Sequence, residues 1–424
     1  MFQQNGLSLD QAPPISLIFR FFFIASLFGI FSGLIMLYYG EDIFDSSSVA
    51  HIILIHTLTL GVMASFMLGA LFQMLPVIAG VVLDAPTRRS WWVQIPFALG
   101  VIVLLFAFGF STRLLYTLST LLLGVSLLSA IGMMLMRLWK VSYHSASSRG
   151  MMIALVSFCL TILLALYLTA TMSGYIDGEY YSQVKRLHYH FGLFGWITLL
   201  IFSISFQVIE MFYVTPAYPK ALSKYFTPLL FGWLLLLMPL IFFASSVSRI
   251  ADIVLWFMMM GFAIVTLYRL SQRKRPLADA TIWFWRLGLV SLVVSMLLMI
   301  LYIFVPWHAI APLYSITFAS FALSVVFAMF YKIVPFLTWF HLNAQGYYTA
   351  PMMHEVIHPR TAKKHFWIHI YLIMTLFLSV FEPVLLYVAG VLTLLSFSWV
   401  MYQIIHAHLL YKKTQATGEK FEIS

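Results

Sequence analysis

Cysteine is almost absent from this chain, since Cys159 is the single one among 424 residues and lies in an apolar stretch. One thiol excludes a disulfide framework, a multi-thiolate metal site and the C-x-x-C-H motif that attaches haem covalently. Histidine, in contrast, occurs 13 times. Any bound cofactor is therefore expected to depend on histidine or oxygen ligands.

Charge is also scarce. Asp, Glu, Lys and Arg make up 9% of the chain, 62% of the residues are hydrophobic, and the mean hydropathy is +0.96. This composition lies outside the range of soluble globular domains and indicates a polytopic membrane protein surrounded by lipid. The net charge of +10 comes from basic residues in short loops between apolar runs, so it indicates membrane orientation and not nucleic-acid binding.

The start of the sequence, "MFQQNGLSLDQAPP", lacks the basic n-region and the small-residue cleavage site of a signal peptide. The first hydrophobic run is therefore expected to remain in the protein. Since a span needs about 20 apolar residues, the sequence predicts an all-α single domain over 1–424 with about twelve transmembrane helices. These begin near residues 16, 50, 91, 114, 150, 188, 226, 250, 281, 308, 366 and 384.

Basic loops alternate along the chain with less basic ones. Clusters of Lys and Arg follow every second predicted helix, as around Arg88 and Arg137. By the positive-inside rule this alternation predicts that both termini are cytoplasmic. The cytoplasmic segments are then the N-terminus at 1–15, a loop at 338–365 and a tail at 411–424.

Histidines recur at the outer ends of the predicted helices 2, 6 and 10. Each is followed, some 20 to 30 residues later, by an aromatic-rich turn and a proline. The pattern predicts three pseudo-repeated units of four helices. The histidines are His51 and His56 on helix 2, His188 and His190 on helix 6, and His308 on helix 10.

An ionisable residue inside a span indicates a functional site, and histidine is the least costly because its neutral form is well populated. His188 and His190 are two positions apart, about 200° around a helix, so they are expected to reach different neighbours, one towards helix 2 and the other towards helix 10. Single histidines facing each other from separate helices are typical of bis-imidazole haem sites. For any one of them, the alternative is an interfacial histidine bonded to a carbonyl or a headgroup.

Two stretches resemble known haem proteins. "HTLTLGVMASFMLGALFQMLP" on helix 2 resembles the second helix of haem-copper oxidase subunit I and of the nitric oxide reductases. "HYHFGLFGW" resembles the H-x-H-x-G-x-x-G-W pattern that C-type oxidases carry on helix 10, although it stands here on helix 6. The opening "PPISLIFRFFFIASLFGIFSG" further resembles the NnrS family, haem-containing relatives linked to nitrogen-oxide tolerance.

The resemblance implies a bacterial inner-membrane protein that binds one or two b-type haems, with a cytochrome or quinol as electron donor. His56 and one of His188 or His190 would ligate one haem, and His308 with the other would ligate a second or leave it open for a small ligand. The predicted helix 7, "YFTPLLFGWLLLLMPLIFF", contains no histidine, so the usual distal copper site is not expected and copper lacks a full ligand set. Electron transfer or a nitrogen-oxide response is then expected in place of oxygen reduction, and no catalytic residue is identified.

Three alternatives stay open. A transporter of a metal or small substrate would use the same bundle, with the histidines along its path. A divergent terminal oxidase or nitric oxide reductase would take its missing ligands from unusual positions. "HEVIH" at 354–358 fits the H-E-x-x-H pattern of zinc hydrolases, but it lies between Pro351 and Pro359 in a short predicted loop, which favours a solvated segment.

Overall fold

The computed structural model describes residues 13–81, 83, 85–274 and 279–421, and these residues are overwhelmingly helical. Over these ranges the chain forms no β-strand, and its single isolated bridge pairs Tyr347 with Lys420. The predicted all-α fold is therefore confirmed.

The described residues form thirteen helices joined by short connections. A helix that contains a π-helical segment is counted here as one. The helices are α1 Ile15–Tyr39, α2 Val49–Ala79, α3 Pro86–Phe110, α4 Arg113–Leu138, α5 Ala146–Met172, α6 Tyr181–Tyr213, α7 Lys220–Phe243, α8 Ser245–Ser271, α9 Ala280–Phe304, α10 Ile310–Ala344, α11 Met353–Val356, α12 Pro359–Ser379 and α13 Leu385–Thr417.

Eleven of these helices are long and apolar enough to cross a membrane, which makes the chain a multi-pass membrane protein. The exceptions are the four-residue α11 and the 21-residue α12. The first half of α12 carries Lys363, Lys364 and two histidines, which lower its hydropathy. All twelve predicted helices thus exist as long helices, and α12 is the one whose composition falls short of the other spans.

The helix ends differ from the predicted boundaries in several places. The expected loop at 338–365 is shorter, because α10 continues to Ala344 and α12 begins at Pro359. In the expected tail at 411–424, α13 continues to Thr417. Most of the expected N-terminal segment, residues 1–12, and the last three residues, 422–424, lie outside the described residues.

Capping residues explain several of the helix starts. Ser48 precedes α2, and its hydroxyl accepts a hydrogen bond from the His51 amide at 3.0 Å. Ser145 precedes α5 and accepts from the Ser148 amide at 3.1 Å. Such side chains satisfy amide groups that have no partner within the first helical turn. The capping contact thus fixes the residue at which α2 begins, and with it the position of His51 in the first turn of the helix.

Two π-helical segments interrupt the described helices. One covers Thr57–Ala64 in α2 and the other His190–Thr198 in α6. Hydrogen bonds in a π-helix join residues five apart instead of four, a rare arrangement that is frequent at functional sites. The first segment begins directly after His56, and the second begins at His190. Two of the histidines singled out by the sequence therefore adjoin these segments.

The described residues pack into two compact units. One contains residues 72–81, 83, 85–274 and 292–305, and its interior includes Phe202 and Phe262, whose rings stack at 4.0 Å. The other contains residues 13–71, 279–291 and 306–421. In that unit α1 and α13 approach closely, since a Cβ atom on Gly33 would lie 2.8 Å from the Gly390 carbonyl oxygen. The threefold repeat stays a prediction from sequence.

Candidate functional site

His56 is the last residue of α2 before its π-helical segment, and its side chain is half-buried. Its Nδ1 lies 2.9 Å from the Ile52 carbonyl oxygen. Because a carbonyl only accepts hydrogen bonds, Nδ1 carries the hydrogen and the lone pair is on Nε2. Histidines that bind metals are usually held in this way, with one nitrogen bonded to a carbonyl and the other directed to the metal.

His51 and His188 are held in the same way. The Nδ1 of His51 lies 2.8 Å from the Ile43 carbonyl oxygen, and the Nδ1 of His188 lies 3.0 Å from the Thr161 carbonyl oxygen on α5. Both side chains are half-buried. In each case the carbonyl fixes the hydrogen on Nδ1 and the lone pair on Nε2. In both histidines the lone pair is therefore on Nε2, as in histidines that bind a metal through that atom.

His190 contacts a carbonyl oxygen through one ring nitrogen and a carboxylate through the other. Its Nδ1 lies 2.8 Å from the Arg186 carbonyl oxygen, and its Nε2 lies 2.8 Å from Asp252 Oδ1. Its exposed fraction is 1%. With an acceptor oxygen at Nδ1 and a carboxylate at Nε2, the ring has no nitrogen to offer to iron in this arrangement.

Asp252 and Arg186 complete a buried charged network that sequence reasoning missed. Arg186 Nη2 pairs with Asp252 Oδ2, and Arg186 Nη1 donates to Ser248 Oγ at 2.9 Å. Asp252 lies on α8 and is 5% exposed. A buried carboxylate needs such partners because desolvation is expensive. The signal available in the sequence was the aspartate itself, an acidic residue within an apolar span.

His188 and His190 reach different neighbours, but their interhelical partners described above lie on α5 and α8 and not on the expected helices 2 and 10. His188 contacts a backbone carbonyl of α5, whereas His190 contacts a carboxylate of α8. The two residues thus have distinct chemistry although one residue separates them. Both belong to the first unit described above, whereas His51 and His56 belong to the second.

His308 lies in the turn before α10 and not on the helix, which begins two residues later at Ile310. The Ile310 amide donates to the Trp307 carbonyl oxygen at 3.0 Å and closes this turn. The His308 side chain is exposed, and its ring meets the Trp307 ring edge-on at 5.8 Å. The structure thus places His308 at the surface of its unit.

Glycines and aromatic residues near these histidines serve helix packing. A Cβ atom on Gly61 would lie 2.6 Å from the Phe28 ring, and one on Gly195 would lie 2.9 Å from the Ser157 side chain. The Phe158 and Trp196 rings stack at 4.2 Å. Neighbouring side chains therefore fill the space beside these glycines.

The zinc-hydrolase pattern at 354–358 does not form one helical face. His354 lies on α11, whereas His358 precedes α12 and its Nδ1 accepts a hydrogen bond from the Arg360 amide at 3.1 Å. Glu355 accepts from the Met352 amide at 2.7 Å. Across the described ranges, no group of three or more His, Cys, Asp or Glu side chains could hold a metal ion. The expected solvated segment fits this arrangement.

No protein-family model matches the chain, and no curated protein matches it either. A functional assignment therefore depends on the histidines, on their partners and on the sequence resemblance stated above. Among the predicted ligands, His51, His56 and His188 each contact a carbonyl oxygen through Nδ1, whereas His190 contacts a carbonyl through Nδ1 and the Asp252 carboxylate through Nε2.

Proposed function

We propose that this protein is a haem-binding integral membrane redox protein related to haem-copper oxidase subunit I and to the NnrS family. The observation that carries the proposal is the setting of His56. Its Nδ1 is bonded to the Ile52 carbonyl, so the lone pair is on Nε2, and a π-helical segment begins at the next residue. The same residue starts the helix 2 motif that resembles the haem-binding helix of that superfamily.

His56 and His188 are each proposed as a ligand of b-type haem, and His51 is a further candidate. His190 is reassigned as the partner of Asp252. A bound haem would supply reversible one-electron chemistry and, where one axial position stays open, a site for a small gas. The chain contributes the imidazoles and the carbonyls that orient them.

Electron transfer or a nitrogen-oxide response is the proposed physiological class, in a bacterial inner membrane with both termini cytoplasmic. A cytochrome or a quinol would be the electron donor. The absence of histidine from α7 supports a role without a distal copper centre and without four-electron reduction of oxygen.

The test is a reduced-minus-oxidised spectrum of the purified protein in detergent, with pyridine haemochrome quantification. His56→Ala and His188→Ala are compared with the wild type and with His354→Ala, which removes an exposed histidine of the short helix α11 as a matched control. We expect low-spin b-type bands in the wild type and in the control. At least half of the haem should be lost in one of the two ligand variants.

A colourless wild-type protein, expressed with adequate haem, would reject the proposal. Equal haem content in all three variants would reject the ligand assignment while leaving haem binding in place. The His190→Ala variant tests the role of His190 separately from that of His188 on helix α6. It should keep its haem if the Asp252 contact is the role of His190.

A transporter is the second candidate, and the Arg186–Asp252–His190 network favours it. Ionisable residues inside a span commonly mark ion and substrate paths. The protein would then purify without colour, and Asp252→Asn would abolish substrate uptake into proteoliposomes. A haem-loaded preparation with no uptake of metal ions would count against this candidate.

A further inference from the structure

His365 and His369 form a second histidine site, far along the chain from the motifs discussed so far. Both lie on α12, where the four-residue spacing places them on one face, one turn apart. Their exposed fractions are 0% and 1%. The sequence placed His365 in a cytoplasmic loop, but the pair is enclosed within its unit.

Each ring is held through Nε2 by a serine on a neighbouring helix. His365 Nε2 lies 2.8 Å from Ser396 Oγ on α13, and His369 Nε2 lies 2.9 Å from Ser324 Oγ on α10. The Nδ1 atom of each ring is buried and has no hydrogen-bond partner. The helix therefore carries two identical unsatisfied nitrogens, one turn apart.

Aromatic rings surround the pair. The Phe327 ring centroid lies 4.7 Å from that of His365 and 5.1 Å from that of His369. The Phe284 centroid lies 5.7 and 5.6 Å from the same two rings. Both imidazoles thus contact the same two phenyl groups, and the Tyr331 ring lies 5.7 Å from that of His365.

A buried polar atom without a partner is costly, and in native proteins such an atom usually indicates a bound water, an ion or a functional group. Two such nitrogens on one helical face indicate a ligand that binds both. Imidazole nitrogens suit zinc, copper, iron and nickel, whereas calcium and magnesium take oxygen ligands. The ligand is therefore expected to be a transition-metal ion.

The surroundings select among these metals. A structural Zn²⁺ site needs four protein ligands, and the described residues provide no cluster of three His, Cys, Asp or Glu. Moving an ion into an apolar site becomes more costly with higher charge, which favours a monovalent cation. Cu(I) carries a single charge and is stable with two nitrogen ligands. We propose that His365 and His369 bind one cuprous ion through their Nδ1 atoms.

The two serines take a positioning role in this site. Each fixes the ring through Nε2 and so leaves Nδ1 for the metal. The site is independent of the proposed haem, since it uses neither His56 nor His188. Loss of one site should leave the other intact, which keeps the two proposals separable.

The experiment is an anaerobic titration of the detergent-purified protein with Cu(I) buffered by a chromogenic chelator. The wild type is compared with His365→Leu, His369→Leu and His354→Ala, and the copper-loaded wild type is examined by X-ray absorption. We expect one equivalent of Cu(I) with imidazole nitrogen scatterers only. Affinity should fall at least tenfold in each Leu variant and stay unchanged in His354→Ala.

Folding of the Leu variants is checked by size-exclusion profile and melting temperature. If either fails to fold, the Ser324→Ala and Ser396→Ala variants replace it, and each should weaken copper binding several-fold because one ring loses its anchor. A wild type that binds no Cu(I) would overturn the proposal and leave a buried water as the partner. Binding that persists in all the His365, His369 and serine variants, or is lost in His56→Ala and His188→Ala, would overturn it as well.

Discussion

His190 Nε2 lies 2.8 Å from Asp252 Oδ1, and both side chains are buried. The contact joins α6 to α8 across 62 positions of sequence. Arg186 holds the second carboxylate oxygen, so the aspartate is bonded from two sides by residues of α6. The start of the second π-helical segment is therefore fixed by a charge on another helix.

Replacing Asp252 with asparagine should destabilise the protein markedly. The change removes the negative charge that pairs with Arg186 and replaces the carboxylate that contacts His190 in a poorly solvated environment. Breaking a buried pair of this kind costs about 3–5 kcal/mol. In detergent, the melting temperature should fall markedly for Asp252→Asn and hardly at all for Asp177→Asn, which changes an exposed acidic residue in a loop. Equal melting temperatures would mean that the network contributes little to stability.

Gly61→Ala should destabilise the π-helical region of α2, although alanine normally favours helices. Its Cβ atom would lie 2.6 Å from the Phe28 ring, which must then move. Overpacking of this kind costs about 1–3 kcal/mol. Gly109→Ala on α3 is the matched control, because no atom lies within 4 Å of its added Cβ. The same melting assay checks both variants, and an equal response would show that Phe28 yields easily.

Asp279 should confer stability that is lost in acid. It precedes α9, and its Oδ2 lies 2.6 Å from Lys332 Nζ. Burial acts to raise the pKa of Asp279, but the Lys332 ammonium and the hydrogen bonds from Thr281 and the Ile282 amide together lower it below its ordinary value. A carboxylate whose pKa is lowered in the folded state stabilises the fold at a pH above its unfolded pKa of about 3.9. This contribution is lost as the pH falls through the pKa of the folded state.

The measurement compares the melting temperature of wild type and Asp279→Asn across pH. At neutral pH the variant should be less stable by about 1 kcal/mol, because the carboxylate is partly exposed and solvent screens the pair. The difference should shrink below about pH 4 as the wild-type carboxyl becomes protonated. A difference that is constant down to about pH 3 would contradict the pairing with Lys332.

Arg113→Ala should loosen the turn that follows α5. The Arg113 guanidinium donates to the Ser173 and Gly174 carbonyl oxygens at 2.9 Å each and lies over the Tyr175 ring at 4.3 Å. A cation at the end of a helix also complements its dipole. We expect the free energy of unfolding, measured by thermal melting, to fall by about 1–2 kcal/mol. Arg113→Lys should recover less than half of the lost stability, since an ammonium lacks the forked geometry of a guanidinium.

The helices follow from the sequence because each is a run of apolar residues long enough to span a bilayer. The partners of the histidines do not follow in the same way. The contact of His190 with Asp252 depends on how α6 packs against α8, and no local pattern encodes that choice. The sequence therefore predicted a site at His190 without its charge partner.

The burial of His365 and His369 was missed for a related reason. Lys363 and Lys364 directly precede His365, and this charge placed His365 at the end of a predicted loop, while His369 fell at the start of the helix predicted from about residue 366. The serines that hold the two rings come from α10 and α13. Only the packed unit shows that this polar segment continues into an enclosed helix.

Each of the two π-helical segments also accommodates an extra residue. A turn with hydrogen bonds between residues five apart contains one residue more than an ordinary turn. The wider turn absorbs this residue, so the residues on either side keep nearly the orientation that they have in an uninterrupted α-helix. In the course of evolution, one inserted codon can therefore change the backbone beside a histidine while the remainder of the span keeps its packing.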